Sequence, residues 1–144
     1  MNPETDKLAK TCCSMEWSRA EKSVEVRACA GGLRVLCAET VSKDAAGFAN
    51  VCGLGFLVPW SEVVDLCAAL LGYEGDVYDK RAGDGLATLR LRVHKGALGV
   101  FVGVSIQWDG RADADSFRAI SLLVPSDVAS ELARFSADRV PDAA

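Results

Sequence analysis

The same junction occurs twice in this chain, as "LVPWSEVVDL" at residues 57–66 and as "LVPSDVASEL" at 123–132. In each, an apolar dipeptide that suits the end of a strand meets a proline. Proline has a fixed φ and lacks an N–H, so it is tolerated in the first turn of a helix and breaks a helix interior. The junction therefore predicts strand, proline, helix at two places, with helices over 59–73 and 125–139. Trp60, Val63, Val64, Cys67, Leu70 and Leu71 form the expected stripe of the first, and Val128, Leu132 and Phe135 that of the second. Gly72 is placed to end the first helix. Coincidence and an internal duplication both account for the repeat, because strand–proline–helix is a common junction.

The rest of the chain alternates with a period of two. In "SVEVRACA" (23–30), Val24, Val26 and Ala28 share one face, and Gly31-Gly32 then marks a hairpin into "LRVLCAETV" (33–41). "SMEWS" (14–18), "FANVCGLGFLV" (48–58), "LATLRLRVH" (86–94), "LGVFVGVSIQW" (98–108) and "SFRAISLLV" (116–124) read as further strands. The expected architecture is α+β, with one domain over 1–144 and frayed ends at about 1–12 and 140–144. It is a single antiparallel meandering sheet of about six strands with two helices on one face, open to division into two βββα halves. The opposite face of that sheet would gather Arg34, Arg90, Arg92 and Arg118 around Phe101.

Net charge is −4 at neutral pH. Nucleic acids and anionic membranes are bound largely through Lys and Arg, so neither is an expected partner. No export signal is visible in the first twenty residues, and the most apolar run, "GALGVFVGVSIQW", is too short for a membrane-spanning helix. The expected compartment is thus the cytoplasm. There the six cysteines (12, 13, 29, 37, 52 and 67) should be reduced. With no C-x-x-C and a single histidine, a structural zinc site is not expected, and no cofactor is.

Catalytic signatures are sparse. No nucleophile elbow, P-loop, dinucleotide fingerprint or metalloprotease helix occurs. His94 has no nucleophile beside it by motif, and Cys67 falls mid-helix on the apolar stripe, so no catalytic residue is assigned and an enzyme is not expected. The stretch "GYEGDVYDKRAGDG" (72–85) is the sharpest candidate site. Its acids do not follow the order of a calcium-binding EF-hand loop. As a connector rich in turn formers, it would expose Tyr73, Glu74, Asp76, Tyr78, Asp79 and Asp84. Tyrosines supply rigid contact area and carboxylates steer a basic partner, so these six are the expected partner-binding residues.

The succession "GLRVLCAETV", "VVDLCAALL", "LATLRLRV", "GVFVGVSIQW" and "SDVASELARF" resembles the small bacterial immunity proteins encoded beside polymorphic toxins, the wall-associated-toxin immunity type in particular. The resemblance covers roughly residues 23 to 138 and lies in element order and hydrophobic pattern. Where those proteins carry a Trp-rich segment after the first helix, this chain has Tyr73 and Tyr78. The resemblance implies an antitoxin: a non-catalytic protein that binds and inhibits a cognate toxin domain in the cytosol. A secretion chaperone holding an effector segment is the alternative from another class, and a small enzyme is a third. A homodimer is compatible with each.

Overall fold

A computed structural model of the protein describes residues 6–73, 75–108 and 116–141. Five strands come first: β1 (Lys7–Lys10), β2 (Ser14–Arg19), β3 (Lys22–Cys29), β4 (Gly32–Lys43) and β5 (Ala49–Pro59). A 3-10 turn at Trp60–Glu62 leads into α1 (Val63–Leu71). Four more strands follow, β6 (Val77–Gly83), β7 (Ala87–Lys95), β8 (Val100–Trp108) and β9 (Phe117–Val124), and then α2 (Ser126–Arg139). The strands form two sheets, β1-β2-β3-β4-β5 and β6-β7-β8-β9, each antiparallel with neighbours in chain order.

This corrects the expected single sheet of about six strands, and with it the division into βββα halves. Alternation marks an inward and an outward face for every strand but carries no label for the sheet it joins. α1 interrupts the meander after β5, and β6 starts a second sheet rather than extending the first. The helices do not share one face of one sheet either. They pack on each other, α1 lies against β6 and β7, and α2 lies against β2 and β3. Each helix thus covers the sheet of the other half, and β4 and β5 meet β8 and β9 across the core. Two strands fall where the sequence suggests none. β1 occupies part of the expected frayed end, and β6 occupies half of the expected connector.

The two halves agree residue by residue around the proline junction. Pro59 has φ −58° and ψ 147°, and Pro125, 66 positions later in the sequence, has φ −57° and ψ 147°. The buried residues of α1 are Val63, Leu66, Cys67, Ala69 and Leu70, and those of α2 are Ala129, Leu132, Ala133, Phe135 and Ser136. Every one of the first set maps onto one of the second at that same spacing. Cys67 and Ala133, which correspond, also touch: the Cys67 thiol donates to the Ala133 carbonyl at 3.3 Å. The two helices thus meet at corresponding residues. Val64 and Leu71, expected on the buried stripe, are exposed. α1 instead turns Leu66 and Ala69 inward, because it is covered by both α2 and the second sheet.

Candidate functional site

Five of the six expected contact residues fall in the described region, and they do not form a common surface. Glu74 lies outside the described residues. Tyr78 points into the core from β6 and is 2% exposed, so it offers no contact area to a partner. Burial, with Glu62 and Asp65 nearby, pushes its phenol well above the ordinary range. Asp84 accepts from the backbone N–H groups of Leu86 and Ala87 at 2.8 and 3.1 Å, which closes the β6–β7 turn and holds its carboxyl below the usual range. Tyr73 and Asp76 are exposed at the end of α1, beside Val77, His94 and Lys95; Asp79 and Asp84 are exposed too, but their carboxylates are bonded within the chain. The reading of 72–85 as one exposed loop is corrected here: turn formers bracket it at both ends, but Val77–Gly83 pairs with β7 along its whole length.

Asp79 is the residue that leads elsewhere. It alternates to the side of β6 opposite Tyr78, onto the outer face of the second sheet. There it accepts two hydrogen bonds from Arg90, Nε at 2.7 Å and Nη2 at 2.5 Å, while Arg92 Nε stands 4.0 Å away. The two-pronged geometry suits a planar guanidinium and fixes both side chains. The Arg90 hydrogen bonds, followed by the Arg90 and Arg92 charges, hold the Asp79 carboxyl below its ordinary value of 3.8. The stabilisation it gives is therefore complete above that ordinary value and is lost as pH falls through the lower folded-state value. Replacing Asp79 by Asn should lower the urea midpoint at neutral pH. Titrating wild type and variant toward acid should close the gap between them. A gap of constant size down to the acid limit would mean that the pair contributes nothing through its charge.

Cross-strand register sets out the rest of this face. Arg92 sits opposite Gly103, Arg90 opposite Ser105, and His94 opposite Phe101; Gly103 is opposite Ser121 and Ser105 opposite Ala119. Small residues on β8 and β9 thus leave a trough beside the two arginines. Phe101 closes one end, stacked on His94 with ring centroids 5.0 Å apart, and Phe117, half exposed, closes the other. The groove is about 170 Å³. It continues past Phe101 and Ser121 into a wider hollow, about 870 Å³, bordered by Trp17, Arg19, Lys22 and Lys43 from the first sheet. The feature that marks this groove, Gly103 set between Arg92 and Ser121 beside Phe101, arises only from the strand register.

The expected arginine face is only partly realised. Arg90 and Arg92 share the groove with Phe101. Arg34 belongs to the other sheet, and Arg118 leaves β9 on the side away from Phe117 and lies 3.9 Å from Glu39. The Cys37 and Cys67 thiols are withdrawn from solvent: burial raises the first to about 12, and raises the second as well. Among the described residues, no three His, Cys, Asp or Glu side chains converge as metal ligands. Among the same residues, no helix is long and apolar enough to cross a membrane. No protein-family model matches the chain, and no curated protein matches it.

Proposed function

We propose that the protein is a non-catalytic binding protein of the immunity type, which inhibits a cognate toxin domain by seating it on the outer face of the second sheet. The observation that carries this reading is the groove itself. The inner faces of both sheets are sealed around the helices, whereas this outer face keeps an exposed phenylalanine, a floor of small residues and two arginines oriented by Asp79. Oriented arginines beside an aromatic edge are typical of the residues that dominate protein interfaces. The acids of 72–85 were expected to steer a basic partner, but Asp79 and Asp84 are engaged within the chain. The proposed partner surface therefore offers carboxylates to the Arg92 side and an apolar group to Phe117.

The experiment begins at the neighbouring gene, where this reading expects a toxin domain, and co-expresses that domain with this chain. The wild-type chain restores growth. A variant carrying Arg92→Glu and Phe117→Asp fails to do so while keeping the wild-type circular dichroism, both side chains being largely exposed. A toxin that remains lethal beside well-expressed wild-type chain would overturn the reading. Rescue by the double variant would overturn the assignment to this groove. An increase in secreted or soluble effector without loss of its toxicity would indicate a chaperone instead.

A further inference from the structure

We propose that two copies of this chain pair edge to edge through β5, antiparallel and centred on Leu54, to make one continuous ten-stranded sheet. β5 is the outermost strand of the first sheet, bonded to β4 on one side only. Which backbone groups face outward follows from the ladder. The Thr40 N–H donates to Glu21 on the β3 side, so even residues of β4 from 32 to 40 turn toward β3 and odd ones toward β5. Their partners Cys52, Leu54, Phe56 and Val58 bond back to β4. The N–H and C=O groups of Val51, Gly53, Gly55 and Leu57 consequently point away from the sheet, and no strand among the described residues receives them.

Edges of this kind are normally defended by charge, shortness or a covering group. The other three are. β1 has four residues, two of them lysines, and β6 carries Asp79, Lys80 and Arg81. β9, which corresponds to β5 in the other half, carries Arg118, and Lys22 donates to its Ser121 carbonyl at 2.8 Å. β5 is eleven residues long, ANVCGLGFLVP, without a single charge. Self-pairing about Leu54 sets Val51 against Leu57 of the second copy and Gly53 against Gly55. All four outward donors and all four outward acceptors of each copy are then used, and no like charges on the two strands are brought together. The same register joins the exposed side chains of Val51 and Leu57 on one face, removing from water two apolar groups that are 65% and 49% exposed in the single chain. The glycines between them hold the seam clear, and Arg34 lies flat across Gly55, where a Cβ would meet its Nε at 2.7 Å. A twofold axis through Leu54 makes the interface self-limiting, since each copy offers one such edge.

Sedimentation equilibrium on the full chain tests this, with far-UV circular dichroism as a folding control. The wild type is expected to be a dimer at micromolar concentration. Val51→Lys combined with Leu57→Lys should weaken self-association at least about tenfold, because two lysines are brought against each other's seam. Amide exchange on the wild type supplies a readout that needs no variant. The Val51, Gly53, Gly55 and Leu57 amides should slow as concentration rises, while the Leu54 amide, bonded to β4, keeps its rate. A chain that is monomeric at all concentrations, a dimer indifferent to the lysine pair, or exchange at those four amides independent of concentration would each overturn the proposal.

Discussion

Replacing Leu132 by Ala is expected to lower the unfolding free energy by about 2–5 kcal/mol, the range for removing a large aliphatic side chain from a core that cannot close over the gap. Leu132 has no exposed surface and sits mid-way along α2, where that helix packs on α1 and on the first sheet. Its counterpart Leu66 is buried at the matching point of α1. The two leucines each stand one residue before the contact at which Cys67 meets Ala133, so a cavity there is bounded by both helices. Neither can move inward without leaving the sheet it covers, which argues for the upper part of the range. Urea unfolding measures it: the midpoint should fall with the slope preserved, as for a change in stability without a change in the surface exposed. Val64→Ala on α1 is the control. Val64 is 70% exposed despite its place in the expected stripe, and its loss should change stability by no more than about 0.5 kcal/mol. Equal effects at the two positions would refute the packing described for these helices.

Particular residues show why some of this was legible in the sequence and some was not. Val24, Val26, Val35, Leu91, Val93, Val102 and Val104 are all buried, and all lie in runs where every second residue is apolar. That periodicity depends only on the pleat of one strand, so it survives without knowledge of the neighbours. The partition into two sheets depends on which strand follows which helix onto which face, and no local period encodes it. β6 was missed for a related reason. In "VYDKRAG" only Tyr78 is buried, and charges on Asp79, Lys80 and Arg81 read as solvent-exposed when their cross-strand partners are unknown. An acid in sequence is a charge available to a ligand; the same acid opposite Arg92 and bonded to Arg90 is a strut. The groove escaped notice because its floor is defined by absent side chains, at Gly103 and its serine and alanine neighbours, and they converge only once the register is set.

The repeat at the proline junctions was legible as a pattern, and two glycines supply its physical test. Gly32 opens β4 directly opposite Pro59, and a Cβ built on it collides with the Val58 carbonyl oxygen. Gly99 immediately precedes β8, and a Cβ there lies 2.5 Å from the Val124 carbonyl oxygen, one residue before Pro125. In both halves, then, the strand that follows the hairpin turn starts by passing under the carbonyl that precedes the helix. That carbonyl cannot step aside. Its peptide is joined to a proline with fixed φ, and the next residues are committed to the helix that crosses to the other sheet. Gly32→Ala and Gly99→Ala should each cost at least about 1–3 kcal/mol, the range for forcing atoms into a packed site, and Gly99→Ala should cost the more, because its φ of +156° is one that L side chains rarely adopt. Gly96→Ala, three residues before Gly99, is the comparison. Its added carbon would stand 3.6 Å from the Gly99 carbonyl oxygen, an ordinary contact, so the change should stay within about 0.5 kcal/mol. Thermal or urea unfolding of the three variants distinguishes the cases. A clear loss at 32 as well as at 99 would mean that the two halves share one constraint, a strand start pinned beneath a Val–Pro link. A neutral Gly32→Ala would mean that the likeness of the halves ends at the sequence, whatever Gly99→Ala costs, since the φ at Gly99 penalises alanine by itself.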